Sequence, residues 1–199
     1  DLFIGVVVPN LRVVAKKHFD ADFDTLRELL ASPYHEYRLT ALLALTYRYA
    51  KFKDLASREA CVNFYVSQVD AINNWDLVDL SCYKILGHWL FDKDKQLLYD
   101  WAKEDHLWKQ RIAMITCMHF VKQGEFKDAL AIADLLQHHP HDLIHKAVGW
   151  ILREIGKENE QLLVDYLTPR YKEMPRTMLR YAIERFEEGK RKAFLHSKV

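Results

Sequence analysis

Apolar residues recur at helical spacing along almost the whole of this 199-residue chain. The pattern is clearest in "EYRLTALLAL", "LVDLSCYKIL", "KQRIAMITCM" and "IHKAVGWILR", where apolar side chains return every three or four positions and so line one face of a helix. No segment shows the strict alternation that is typical of a half-buried strand. The pattern therefore predicts an all-α fold.

Proline and glycine mark the expected ends of these helices. Pro9 is expected in the first turn of the first helix, where its missing N–H costs no hydrogen bond. Gly124 and Gly156 are each expected to end a later helix. Residues 75–91 are expected to form one continuous helix. The segment "EEGKRKAF" near the C-terminus is interpreted as a solvated tail, in which Lys190, Arg191 and Lys192 could add nonspecific DNA affinity.

Every second helix shares a register with the others. Superposing the four quoted segments places four residues in one column at spacings of 41, 32 and 35, namely Arg38, Asp79, Arg111 and Lys146. Periods of this size with two helices each are typical of HEAT-like solenoids. Stacked helix pairs bring equivalent positions into a row on one face, commonly the concave one. The sequence therefore predicts one HEAT-like repeat domain over residues 1–199, with a concave basic face.

Composition agrees with a helical fold and narrows the partners. The chain has 6 Gly and 5 Pro, fewer turn residues than sheet proteins use. Its net charge of +1 argues against a polybasic tail but permits a local basic face. No apolar run approaches the ~18 residues of a membrane span, so we expect no membrane partner and a cytoplasmic location, at the nucleoid in a bacterium.

Cysteine and histidine usage gives no metal site. The three cysteines, Cys61, Cys82 and Cys117, match no zinc or redox spacing and are expected to be buried reduced thiols. The segment "HHPH", residues 138–141, contains ligand-type residues, but its proline breaks the geometry, and a loop at a helix end is the expected structure. We expect neither a metal nor a cofactor.

The aligned column is basic at three of its four positions. Arg38, Arg111 and Lys146 would form a ladder that follows a phosphate backbone, with Arg153 and Arg12 nearby. Alternatively, these cations solvate helix ends. Asp79 is the acidic exception. It either forms an ion pair between repeats or faces a positive charge on a ligand.

Two tryptophans lie at helical spacing from this column. Trp75 precedes Asp79 by four residues and so shares its helical face, and Trp150 follows Lys146 by four residues. Two indoles and one carboxylate converging on a concave surface would form a small cage for a cation. Alternatively, each tryptophan is a core residue.

Four segments carry a family resemblance. "NWDLVD", "LWKQRIAMI", "HKAVGWILREIGK" and "GVVVPNLRVVAKKHF" resemble the AlkD-like DNA alkylation repair family, and the resemblance runs from about residue 5 to residue 186. Members of that family are HEAT-like solenoids that act as alkylpurine DNA glycosylases, although some relatives keep the fold without detectable activity. The resemblance places the catalytic aspartate on Asp79, the two active-site tryptophans on Trp75 and Trp150, and a DNA-contacting arginine on Arg111.

Two features depart from the family pattern. Val7 stands where some members carry a glutamine that reaches toward DNA. The family's leading helices would lie before Asp1, so the natural N-terminal helices are expected to be missing.

The resemblance implies a chemistry that one carboxylate can support. An N3- or N7-alkylated purine is positively charged and leaves as a neutral base, whereas ordinary glycoside hydrolysis uses two carboxylates. Asp79 would stabilise the oxocarbenium-like sugar and position the attacking water, while Arg111 and Lys146 would hold phosphates. The resemblance also implies a lesion held in the duplex without base flipping.

The sequence therefore predicts a monomeric, monofunctional alkylpurine DNA glycosylase acting on double-stranded DNA. Two alternatives stay open. A catalytically silent solenoid would bind damaged or branched DNA through the same basic residues. A protein–protein scaffold would have an apolar groove and little dependence on salt.

Overall fold

The computed structural model describes residues 1–196 and contains helices joined by short connections. Within that range the extended backbone pairs only once, in an isolated parallel bridge between Leu2 and Tyr34. The all-α prediction is confirmed. No helix in the described range is both long enough and apolar enough to cross a membrane. The chain divides into two compact units, Asp1–Asp92 and Lys93–Val199.

The N-terminal unit is built around one long helix, α3. Its elements in chain order are α1 (Val8–Lys17), α2 (Phe23–Leu30), α3 (His35–Lys51), α4 (Leu55–Ser67), a 3-10 turn (Val69–Ala71), α5 (Trp75–Asp79), a π-helical turn (Tyr83–Gly87) and α6 (His88–Leu90). Helices α1 and α2 pack on α3, which also contacts α4 and α5. Leucine and alanine side chains of α3 fill the space between them and are almost completely buried.

The C-terminal unit is built around two long helices, α8 and α10. Its elements are α7 (Gln96–Lys103), α8 (Leu107–Lys122), α9 (Lys127–Leu136), α10 (Asp142–Glu158), α11 (Glu160–Leu167), α12 (Arg176–Ala182) and α13 (Glu188–Leu195). Helix α8 packs against α7, α9 and α10, and α10 packs against α11 and α12. Helix α8 has buried side chains on all its faces, because it lies between several neighbours, whereas the buried apolar side chains of α10 form one stripe.

Two of the helix boundaries expected from proline and glycine agree with the structure, and one does not. Pro9 lies in the first turn of α1, and Gly124 follows α8 with a φ of +80°, the left-handed conformation that ends many helices. The expectation that Gly156 ends a helix is wrong, because α10 continues to Glu158. A Cβ at Gly156 would lie 2.5 Å from Leu163 Cδ2, so this glycine serves the contact between α10 and α11.

The segment expected to be a solvated tail is exposed to solvent over most of its length, but it is helical and anchored at one residue. Residues 188–195 form α13, whose first amides are capped by the Glu187 carboxylate. Phe194 is buried against Tyr171 and Phe186, with ring centroids 5.3 and 5.7 Å away. Lys190 pairs with Glu160 at 2.5 Å, so its charge already has an acidic partner.

Candidate active site and nucleic-acid contacts

The helix that carries Trp75 and Asp79 is a single turn. Helix α5 has five residues, and the side chain of its N-cap, Asn74, accepts no capping hydrogen bond. One turn fixes several dihedral angles for very few backbone hydrogen bonds, so a helix this short is unstable alone. Its position must come from tertiary contacts at its two ends.

The N-terminal end of α5 is held by the first turn of α3. His35 Nε2 lies 2.7 Å from Asp76 Oδ2, and Arg38 Nη1 donates to Asn73 Oδ1 at 2.6 Å. The two contacts reach Asp76, directly after Trp75, and Asn73, two residues before Trp75. They fix both the approach to α5 and its first turn.

The C-terminal end of α5 is held from α4. Ser81 Oγ donates to the Leu77 carbonyl at 2.5 Å and lies 3.0 Å from the Tyr65 hydroxyl. Burial raises the pKa of Tyr65 well above its usual value, and the nearby Cys82 and Asp79 raise it further against the Ser81 hydrogen bond. The phenol therefore stays protonated at neutral pH and donates to Ser81.

The continuous helix expected over residues 75–91 is interrupted. Helix α5 ends at Asp79, Leu80 has φ −93° and ψ −9°, and a π-helical turn runs from Tyr83 to Gly87. The Ser81 hydroxyl bonds to a carbonyl four residues earlier and so competes with the regular backbone ladder. Short π-helical turns are frequent at functional sites, and this one begins four residues after the candidate catalytic acid.

Trp75 and Asp79 differ sharply in exposure although one helical turn separates them. Trp75 is 54% exposed, which makes it unlike most large apolar side chains of the unit. Asp79 is 8% exposed. Arg12 on α1 and Asp79 both act on Tyr83: burial raises the pKa of Tyr83, Cys82 and Asp79 raise it further, and Arg12 lowers it. The alternative interpretation of Trp75 as a core residue is therefore wrong.

Arg38 and Arg111 are buried rather than displayed. Arg38 is 5% exposed, and besides Asn73 it pairs with Asp1, 2.6 Å from Nη2 to Oδ1. In the C-terminal unit Arg111 is 4% exposed, and its Nη1 donates to the Leu143 carbonyl at 2.5 Å. Both guanidinium groups therefore make contacts within their own unit.

Lys146 and Arg153 each have a carboxylate partner on the surface of the C-terminal unit. Lys146 pairs with Asp142 one turn earlier in α10 at 2.7 Å, and this bond raises the pKa of Lys146. Arg153 pairs with Glu184 and approaches Glu154 at 3.6 Å. A phosphate would have to displace these carboxylates, so the two cations are less available than the sequence suggested.

The two remaining residues singled out in the sequence, Trp150 and Val7, lie in different units. Trp150 is partly exposed on α10, directly after Gly149. A Cβ at Gly149 would lie 2.6 Å from the Met178 carbonyl oxygen and 2.5 Å from Tyr181 Cβ, so the glycine allows α12 to approach α10. Val7 is 60% exposed and lies in extended conformation directly before α1.

The column found in the sequence corresponds to the same position, within one residue, of four helices. Arg38 is the fourth residue of α3, and Asp79, Arg111 and Lys146 are each the fifth residue of their helices. Two partner residues escaped sequence reasoning, His35 and Asn73. The signal for His35 was present, because it stands 41 residues before Asp76, the spacing that separates Arg38 from Asp79. The His35–Asp76 bond thus links equivalent positions of adjacent repeats.

The remaining ligand-type residues have structural roles. Cys61, Cys82 and Cys117 are buried thiols, as predicted. The "HHPH" segment lies in the connection between α9 and α10, where His141 Nδ1 accepts from the Leu143 amide and caps α10. Over the described part of the chain, His, Cys, Asp and Glu side chains do not gather in any group of three that could hold a metal ion.

Comparison with known proteins agrees with the fold. A solved structure described as "Predicted DNA alkylation repair enzyme from Enterococcus faecalis" superposes with a TM-score of 0.72, at 16% sequence identity, covering 94% of this chain and 89% of that one. At this identity the similarity concerns the fold alone. A search of curated protein sequences gives no significant match.

The family assignment comes from the sequence profile. The profile of the family described as "DNA alkylation repair enzyme" matches residues 1–186, nearly the whole chain and both units. The match includes the short helix with Trp75 and Asp79 and the long helix with Lys146 and Trp150. This chain therefore belongs to the DNA alkylation repair enzyme family.

Proposed function

We propose that this protein is a monofunctional DNA glycosylase that excises positively charged N3- and N7-alkylated purines from double-stranded DNA without base flipping. The observation that carries the proposal is the pairing of an exposed indole with a nearly buried carboxylate on a single anchored helical turn. Trp75 offers a π face to solvent, and Asp79 lies one turn away on the same helix. An aromatic face and a carboxylate both attract a cation.

The substrate supplies the driving force for bond cleavage. When the C1′–N bond of an alkylated purine breaks, its electron pair moves to the purine nitrogen and the base leaves neutral. The sugar becomes oxocarbenium-like, and water then adds at C1′ and loses a proton. No acid has to protonate the leaving base, so a single carboxylate suffices.

Asp79 is the residue proposed to act on the sugar. A carboxylate ~4 Å from the developing positive charge, at an effective dielectric constant of ~20, contributes on the order of 4 kcal/mol. If this contact forms only in the transition state, the rate gain approaches ~10³. Trp75 would contact the cationic nucleotide and exclude water from it.

The C-terminal unit is proposed to contribute the DNA contacts. Trp150 would pack against the damaged nucleotide, and Lys146 would hold a phosphate. Arg111 would reach a phosphate only by turning away from the Leu143 carbonyl, because its guanidinium is as buried as that of Arg38. Arg153 would join them once DNA competes with Glu184 for its guanidinium. Because phosphate must replace intramolecular carboxylates at Lys146 and Arg153, each contact should be weak and sensitive to salt.

The test is single-turnover release of N7-methylguanine and N3-methyladenine from methylated duplex DNA. We expect release by the wild type and a loss of about 10³-fold in Asp79→Asn, since the amide keeps the shape but removes the charge. The matched control is Asp165→Asn, which changes an exposed aspartate of α11 whose carboxylate accepts a hydrogen bond from Gln161. This variant should excise at the wild-type rate. Full activity of Asp79→Asn would overturn the role of Asp79, and salt-sensitive binding without any release would favour a silent DNA binder.

A further inference from the structure

We propose that His35 and Arg38 are positioning residues, which place Trp75 and Asp79 for excision by holding α5 from the first turn of α3. The inference rests on the proposed function for its kinetic consequences, while its structural content is independent. It also gives Arg38 a role different from the phosphate contact expected from the sequence.

Helix α5 depends on contacts from outside itself. It is a single turn, and its N-cap side chain makes no capping bond. Leu77 and Val78 are buried and fix its depth, but buried apolar side chains leave a short helix free to rotate and slide. Directional bonds at Asn73 and Asp76 remove that freedom on either side of Trp75.

His35 makes the bond inside the helix. Because the Asp76 carboxylate can only accept, the hydrogen between them belongs to His35 Nε2. The other ring nitrogen, Nδ1, faces Asp1 Oδ2 at 3.4 Å, and the ring of Phe3 packs 5.2 Å away. The imidazole is almost fully buried among these groups, so its orientation, and that of Asp76, is fixed by the packing of α3.

Arg38 makes the bond before the helix. Its Nη1 donates to Asn73 Oδ1, its Nη2 faces the Asp1 carboxylate, and burial lowers its pKa against the charge of Asp76. The planar guanidinium serves two acceptors at once, which a lysine cannot do in the same geometry. A guanidinium directed at these partners and 5% exposed is poorly placed to reach a DNA phosphate.

The two roles of Arg38 make opposite predictions for DNA binding. A phosphate contact contributes to affinity for any duplex and about one unit of charge to the salt dependence. A positioning residue contributes to neither, but its loss displaces the reacting groups, and a displacement of about 1 Å costs on the order of 10²-fold in rate.

The experiment compares Arg38→Gln with the wild type in two assays. We expect unchanged affinity and an unchanged salt slope on undamaged duplex, together with a single-turnover excision rate lower by about ten- to a hundredfold. A salt slope smaller by about one unit would make Arg38 a phosphate contact and overturn the proposal. An unchanged excision rate would overturn it equally.

His35 is tested by rescue. His35→Gln places an amide N–H near the position of Nε2 and so keeps a donor for Asp76, whereas His35→Leu keeps the bulk and removes the donor. We expect excision by the glutamine variant within a few-fold of wild type and by the leucine variant at least tenfold slower, with both binding undamaged DNA normally. Equal excision rates in the two variants would show that the hydrogen bond from His35 to Asp76 does not contribute to excision.

A third readout does not need catalysis. The emission of Trp75 is obtained as the difference between each protein and its own Trp75→Phe derivative. We expect this difference spectrum, and its quenching by acrylamide, to change in Arg38→Gln and His35→Leu but not in His35→Gln. If the wild type released no base, the proposed function would be wrong, but the fluorescence comparison would still test the positioning role. Identical Trp75 signals in all variants would contradict the positioning role itself.

Discussion

The exposed indole of Trp75 is the residue that most separates a ligand site from a packed core. Folding gains nothing from an indole left in water, and over half of this one remains there. Its neighbours Leu77 and Val78 on the same turn are completely buried, so the helix does have an inward face and Trp75 lies outside it. The proposed contact with a cationic nucleotide requires such a placement.

Replacing Trp75 by alanine should therefore affect excision far more than stability. Losing a cation–π contact of about 1–2 kcal/mol predicts an excision rate lower by about five- to thirtyfold, and Trp75→Phe should excise at a rate between those of the wild type and Trp75→Ala. The thermal midpoint should stay close to wild type because little buried area is lost. Single-turnover rates and thermal unfolding measure the two effects.

The matched control for Trp75 is Leu55→Ala, which also truncates an exposed apolar side chain at the start of a helix of the N-terminal unit. It should leave both rate and stability unchanged. If Trp75→Ala excised as fast as Leu55→Ala, the indole would have no part in the reaction.

Candidate residues were predictable from the sequence, but their partners were not. Spacing and the family resemblance were enough to select Asp79 and Trp75. The inward direction of the Arg38 side chain depends on where Asn73 and Asp1 lie in the folded unit. The sequence alone does not show whether a basic side chain donates its hydrogen bonds to a backbone carbonyl, a carboxylate or a phosphate.

At the scale of elements, the two glycines of α10 show how close approach is encoded. At Gly149 an added Cβ would meet backbone, the Met178 carbonyl oxygen at 2.6 Å. At Gly156 it would meet only the end of the flexible Leu163 side chain, at 2.5 Å. Backbone cannot move without displacing α12, whereas a leucine can change its rotamer.

We therefore expect Gly149→Ala and Gly156→Ala to change the free energy of unfolding in different ways. Gly149→Ala should lower the free energy of unfolding by about 2–3 kcal/mol, as overpacking does. Gly156→Ala should lie between no effect and a gain of about 1 kcal/mol, because alanine is the better helix former. Urea midpoints of the two variants measure the difference, and equal midpoints would mean that α12 does not pack on α10 at the distance described.

Helical periodicity predicted the long elements and failed where tertiary contacts set the boundary. Helices α3, α8 and α10 have enough turns for their apolar pattern to be unambiguous. Helix α5 and the π-helical turn depend on Ser81 and its partner Tyr65, which lies in another helix. Helix α13 buries only Phe194, too few apolar positions for a periodic signal.

The stability of the whole molecule should depend on pH in the alkaline range, because folding buries several tyrosine side chains. Burial is the first cause of a raised pKa at five tyrosines in the two units, namely Tyr49, Tyr65, Tyr83, Tyr99 and Tyr166. For Tyr49 the pKa reaches about 12. Each of these phenols holds its proton more tightly in the folded chain than in the unfolded one, where the value is about 10.

The sign of the resulting pH dependence follows from proton linkage. Above pH ~10 the folded state binds more protons than the unfolded state, so the free energy of unfolding falls as the pH rises. The stability that these phenols contribute is fully present below pH ~10 and is lost as the pH rises toward their folded values. Alkaline unfolding should therefore be cooperative, with tyrosinate absorbance and loss of helical circular dichroism rising together above pH ~10.

Tyr49→Phe isolates one of these contributions. The variant loses the bond from the phenol to His88 Nδ1, 2.8 Å, and should be slightly less stable at neutral pH. It also lacks the phenol proton that the folded state holds more tightly than the unfolded state. Its free energy of unfolding should therefore fall less steeply between pH ~10 and 12 than that of the wild type. Urea unfolding at several pH values gives both slopes. Identical slopes would mean that Tyr49 ionises in the folded chain as readily as in the unfolded one, and that its burial does not couple to the proton.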